Sequence, residues 1–311
     1  MTTTLVATWS DGLLILDGDD RTRVFRGRCV GELTSDGRGG ALAIVDGHAL
    51  HRRDADGVWT ELATSEHQLA CAVAAPDAIF VGTNGDARLL RVSDDGDLEP
   101  VAGFDVAEGR DGWYAGSVEI NGQVVGPPLG VRSLTATAGG AAVLANIHVG
   151  GIPRSTDGGA TWRSTIEVDH DVHEVVAHPT RPEVVIAAAA VGLCVSTDGG
   201  ATWAVETEGL HATYGSAAAF SGDDLLIAAS SDHFAAEGAV YRRPLAVLGP
   251  LTRCGPADWL AGIVDTGCLA ARGGTIAMAD QGGHLYQSED AGATWECRAD
   301  DLPSPSRVLL L

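Results

Sequence analysis

Lysine is missing altogether from this 311-residue chain, and all 20 of its basic residues are arginine. That absence excludes Schiff-base chemistry, a phosphate-loop lysine and a lysine general base. No apolar run approaches the roughly 18 residues a membrane helix needs, and nothing resembling a signal peptide precedes the first strand-like run. The N-x-[ST] sequon is absent as well. Six cysteines stand singly, without a C-x-x-C pair, mostly in strand-like runs where a reduced thiol behaves as a small apolar group. Cys254 and Cys268 flank one short segment and could pair. A reduced, cytoplasmic protein is the expectation. Positive charge is also short: 42 acidic residues face 20 basic ones, for a net charge of −22. Nucleic acids and anionic membranes, both polyanions, are therefore not expected partners. No G-x-S-x-G elbow, dinucleotide fingerprint or phosphate loop is present.

What the chain does have is one octapeptide three times over. Ser155-Thr-Asp-Gly-Gly-Ala-Thr-Trp162, Ser196-Thr-Asp-Gly-Gly-Ala-Thr-Trp203 and Ser288-Glu-Asp-Ala-Gly-Ala-Thr-Trp295 begin 41 and then 92 residues apart, and 92 is twice 46. A period of about 40–50 residues is the mark of stacked supersecondary units. Each copy follows a short apolar run and ends on Trp. Asp can accept bonds from backbone N–H groups ahead of it, and Gly tolerates positive φ, so the octapeptide reads as a hairpin turn. The Trp then opens the next strand.

These copies resemble the Asp-box (BNR) repeat, whose pattern S-x-D-x-G-x-T-W is matched at every fixed position in all three. The resemblance implies a β-propeller with each box between the third and fourth strands of a blade, on the outer rim. Degenerate turns extend the series: Arg53–Trp59 and Ser93–Asp97 keep the acidic turn, while Leu16–Asp20 and Tyr241–Pro244 stand where further turns are due. Short Val/Ile/Leu-rich strands between Gly/Asp clusters argue for an all-β chain. The expected fold is a seven-bladed β-propeller of four-stranded antiparallel blades, a single domain over 1–311. It should close by pairing a C-terminal strand (Arg307–Leu311) with the N-terminal blade, which removes two open edges. The 62-residue step from the third turn to the fourth leaves Asp105–Gly130 as an insertion in blade four. Its Trp113 and Tyr114 are candidate ligand-binding residues of a lid or wall.

In such a fold the start of each first strand and the end of each second strand share one face of the disc. That rule brings His67, His148, His173, His211 and Asp265 to one rim, with Asp169, His170 and Asp171 just ahead of His173. Imidazoles on adjacent blades suit a divalent transition metal, Zn²⁺, Cu²⁺ or Fe²⁺. The expected ligands are His148, His173 and His211. Asp265, Asp171 and Tyr214 are candidate catalytic groups, and His67 a further ligand-binding one. A small polar molecule is the expected substrate, for hydrolysis or elimination. The competing reading of each His is a polar residue lining a wet channel. His178, His48, His51, His284 and His233 read as structural or solvated.

Asp-box propellers include the sialidases, which implies a glycosidase to be weighed. Their three arginines, the first in an R-I-P motif near the N-terminus, have no counterpart here, since the nearest string is Ile152-Pro153-Arg154. A metal-free glycosidase could use two carboxylates among Asp169, Asp171, Asp265 and Glu119, roughly 5–10 Å apart. A third possibility is a non-enzymatic platform for protein partners.

Overall fold

Where an apolar strand is pressed from both sides it need not alternate, and the second strands of this chain do not. Ala41–Val45, Val143–Ile147, Val185–Ala189 and Thr275–Ala279 are buried at every position. The computed structural model explains why. It describes all residues but 1, 117, 121–122, 127 and 257–258, and within it seven antiparallel sheets form a ring of blades. Each second strand lies between its own blade's partners and the faces of the two neighbouring blades. Burial of one such Leu, Ile or Val side chain contributes about 1.5–3 kcal/mol.

Blade one holds both chain ends: Pro305–Leu310 is its inner strand and pairs with Thr4–Thr8. Inner strands of blades two to seven are Val30–Ser35, Gln68–Ala75, Val131–Ala136, Val172–Ala177, Tyr214–Ser221 and Leu269–Arg272. The closing strand thus starts two residues earlier than the sequence suggests. Third and fourth strands meet at Asp17–Asp20 in blade one, and at residues 54–58 in blade two and 93–97 in blade three. In blade six the third strand, Glu237–Pro244, runs through the residues expected to turn. The connection comes after Pro244, and a second short strand, Leu260–Ala261, also pairs with this edge.

All three octapeptides sit between third and fourth strands, and each satisfies itself. Ser155 Oγ donates to Asp157 Oδ1 at 2.8 Å and accepts from Gly159 N at 2.9 Å, while Asp157 also takes the Thr161 N–H and hydroxyl at 2.9 and 2.6 Å. The copies at Asp198 and Asp290 repeat these bonds. Gly158 and Gly159 both take positive φ, of 69° and 94°, which the turn needs and most residues resist. Bonds from Thr, its own backbone and Ser hold the Asp157 and Asp290 carboxyls down at about 2. Two of the octapeptide tryptophans reach the preceding blade, Trp203 Nε1 to Thr165 Oγ1 and Trp295 Nε1 to the Cys254 carbonyl, while Trp162 Nε1 bonds the Gly159 carbonyl of its own turn.

A short helix, Ala102–Asp105, leads into the insertion, which holds a turn at Arg110–Gly112 and a hairpin of Val118–Ile120 with Gln123–Val125. All six cysteines are free thiols, Cys254 and Cys268 included. No helix among the described residues is long and apolar enough to cross a membrane.

One irregularity recurs. Inner strands slip register by one residue near their start in six blades, leaving Ser306, Gly31, Ala70, Arg132, His173 and Ser216 as the bulged residues. A bulge re-aims a side chain, and these six sit at the rim of the channel.

Candidate functional site

The bulged serines show what this position does structurally. Ser306 Oγ bonds the Val30 carbonyl at 2.5 Å and Ser216 Oγ the Val264 carbonyl at 2.6 Å, each stitching one blade to the next. His173 makes the same stitch, its Nδ1 lying 2.6 Å from the Gly215 carbonyl. A carbonyl only accepts, so Nδ1 carries a proton, and in the neutral ring Nε2 keeps its lone pair. That second nitrogen has no partner, although the residue is only 1% exposed.

His173 Nε2 faces Asp171 Oδ2 at 3.8 Å, and Asp171 Oδ1 lies 3.2 Å from His148 Nε2 without hydrogen-bond alignment. One ligand atom from each of His148, Asp171 and His173 falls within 4.8 Å of the others. Asp171 is delivered there by a left-handed backbone, φ 49°, just before the inner strand of blade five. Such a conformation costs a non-Gly residue of order 1–3 kcal/mol and is common at binding sites. Burial alone would raise its carboxyl, but the facing imidazoles, when protonated, outweigh it and hold the group well below the usual range. Burial also lowers His148, with Asp171 opposing and Arg132 assisting. Donors of this kind, two imidazoles and a carboxylate with a carbonyl fixing one tautomer, suit Zn²⁺ or Fe²⁺.

The cluster forms one wall of a cavity of about 470 Å³ at the top of the channel. Arg132 stands beside it, donating to His148 Nε2 at 3.1 Å and Thr266 Oγ1 at 3.3 Å, with Asp265 Oδ1 at 3.8 Å. Gly116, from the insertion, packs so closely on His148 that an added Cβ would come 1.9 Å from its Cε1 and Nδ1. Arg307 forms the floor. Its guanidinium bonds Glu32 Oε2 at 3.0 Å and the Thr266 carbonyl, and it also borders a second cavity, of about 310 Å³, on the far side. Beneath it burial raises the Glu174 carboxyl to about 7.

No protein-family model and no curated protein sequence matches the chain. Solved structures do. A xyloglucanase of glycoside hydrolase family 74 from Xanthomonas campestris aligns over 97% of this chain and 47% of its own, with TM-score 0.60 and 17% identity. YCF48 bound to D1 peptide aligns over 96% and 86%, with TM-score 0.58 and 14% identity. U3-55K aligns over 90% and 84%, with TM-score 0.60 and 12% identity. The likeness is one of fold. An ancestral family 74 enzyme is similar over 87% of this chain, which spans less than half of either glycosidase.

Against this geometry the expected residues divide. His148, Asp171, Tyr214 and Asp265 line the cavity, and His173 backs it. Tyr214 packs its ring on His173 at 4.5 Å, and burial pushes its hydroxyl up to about 12. His211 does not join the cluster: its Nδ1 lies 2.7 Å from the Tyr241 hydroxyl on an outer strand, and Asp171 stands where His211 was expected. Trp113 is no lid, being 8% exposed and packed on Phe104 beneath Arg110. Tyr114 is exposed and pairs with Val149 through its backbone, away from the cavity lining, and His67 faces Asp86. The side chain of Glu119 lies outside the described residues. His178, as expected, caps a turn on the other face.

Sequence reasoning missed Arg132, Arg307, Glu32 and Phe234, and His233, expected to be structural or solvated, lines the cavity instead. Arg307 was the legible one, because it stands at the start of the expected closing strand.

Proposed function

We propose that the top of the channel is a metal-assisted site for a small polar molecule, with His148, Asp171 and His173 holding a divalent transition metal. One observation carries this reading. Serine at the equivalent bulge supplies the inter-blade bond, and the imidazole adds only a second, buried and unpartnered nitrogen. A metal there would supply Lewis-acid polarisation or a water of lowered pKa. Around it Asp265, fixed by the Thr266 N–H at 2.7 Å, is placed to accept a proton from the ligand or its water. Arg132 can bond an oxygen on which negative charge develops. Hydrolysis or elimination are the reactions such a set serves.

Two rivals fare worse on chemistry. Asp171, set between two histidines, is a poor member of a two-carboxylate glycosidase pair, and the buried hydroxyl of Tyr214 is a poor nucleophile. The three boxes support placing the chain among Asp-box propellers, as a single domain over 1–311. Free thiols support a reducing, cytoplasmic setting. Nucleic acid and membrane are disfavoured by charge.

A protein partner is the second reading, favoured by Phe234 at the cavity mouth, 78% exposed. A YCF48 structure with bound peptide shares the fold.

Elemental analysis of untagged protein decides for or against the metal. One equivalent of zinc or iron per chain, with stability lost on chelation, is expected. No metal uptake even after incubation with Zn²⁺ or Fe²⁺ would end the reading.

A further inference from the structure

The cavity's cations are matched in an uneven way. Arg307 has a carboxylate partner, Glu32, at hydrogen-bond distance. Arg132 is less closely matched: its hydrogen bonds go to an imidazole nitrogen and a hydroxyl, and its ion pair with Asp265 is long, at 3.8 Å. A guanidinium is a planar fork suited to two parallel bonds with a carboxylate or phosphate oxygen pair. With Asp265 beyond hydrogen-bond distance, the Arg132 guanidinium keeps unused donors beside the cavity. Thr266 braces the arrangement, since its hydroxyl accepts from Arg132 while its carbonyl takes Arg307. Part of the lining carries no charge: Gly31, Ala70, Gly130 and Pro128 border the cavity, and the rings of Trp9 and Phe234 stand exposed beside them.

We infer that this cavity takes a small organic carboxylate, its anionic end on Arg132 and its apolar remainder against the small-residue wall under Trp9 and Phe234. The inference rests on the reading of the cavity as the ligand site and names the ligand's class. The two are linked through His148. A metal on His148 Nε2 would take the lone pair that Arg132 now uses and release that guanidinium nitrogen to the ligand. About 470 Å³ is ample for a ring with a short acid chain.

The test is calorimetric titration at low salt with acetate, benzoate and 3-phenylpropanoate, each against its neutral amide, on zinc-loaded and chelator-stripped protein. Expected is saturable binding of at least one aryl acid, at least about tenfold tighter than its amide, with the preference lost in Arg132→Gln. Equal binding of acid and amide, or no saturable binding of any of the three acids, overturns the inference. So does an acid preference that survives intact in Arg132→Gln. If that variant fails to fold, the acid–amide comparison on the unaltered protein still decides. Failure to take up zinc, with the acid preference intact, would end the metal reading alone. Full metal occupancy with no acid preference would end this one alone.

Discussion

His173 donates its Nδ1 proton to the carbonyl of Gly215, 2.6 Å away in the next blade, so a bond that holds the ring together also sets the tautomer of a site residue. Structure and chemistry can be separated there. His173→Ser retains a group able to make the inter-blade bond, as Ser216 does one blade on. The variant should melt within a few degrees of the parent and bind zinc on the order of 100-fold more weakly. Metal titration beside thermal unfolding checks both; unchanged zinc affinity would remove His173 from the site.

Gly116 supports His148 by having no side chain. In Gly116→Ala the new methyl would overlap the imidazole, and turning that ring is easier than moving the backbone of the insertion. The variant should stay folded yet lose roughly tenfold or more in metal affinity, the size of effect that follows misplacing a ligand. Circular dichroism and metal titration together test it.

The inference from octapeptide to blade register explains how far reading the sequence could go. Once Ser155, Ser196 and Ser288 mark the ends of third strands, the starts of first strands follow, and His148, Asp171, His173 and Asp265 fall on one rim. His211 obeyed the same rule and still failed, because its loop turns outward to Tyr241 and Trp259. Loop direction has no period to read. Trp113 failed for a related reason: an aromatic in an insertion can serve the insertion's own core, here Phe104 and Trp162. The bulges were invisible because a one-residue slip in a short strand leaves its composition unchanged, which is how Arg132 escaped notice.

Removing Arg307 leaves Glu32 buried without its partner. Arg307→Met should cost about 3–5 kcal/mol, the usual penalty for half of a buried ion pair. Adding Glu32→Gln should restore a large part of that, because the orphaned charge is gone. Urea unfolding of the single and double variants measures the difference; additive losses would show that the pair is not the issue.

The box carboxylates give a signed pH dependence. Asp157, Asp198 and Asp290 are all held down at about 2 when folded, against about 3.9 in an unfolded chain. Lowered folded values stabilise above the unfolded value, and that contribution is lost as pH falls from about 4 through about 2. Changing all three to Asn should flatten the fall of unfolding temperature across that interval. Equal slopes in parent and variant would contradict the assignment.

The six bulged residues are not alike around the ring, and this has a spatial consequence. Ser306, Gly31 and Ala70, on blades one to three, and Ser216, on blade six, are small, whereas blades four and five carry Arg132 and His173. Among the bulged residues basic side chains are thus confined to one arc, although residues from around the whole ring border the cavity. The ring's near-symmetry ends at its innermost layer, and a bound molecule would meet a different surface on each side. Enlarging Gly31 or Ala70 would narrow the cavity without touching a polar group.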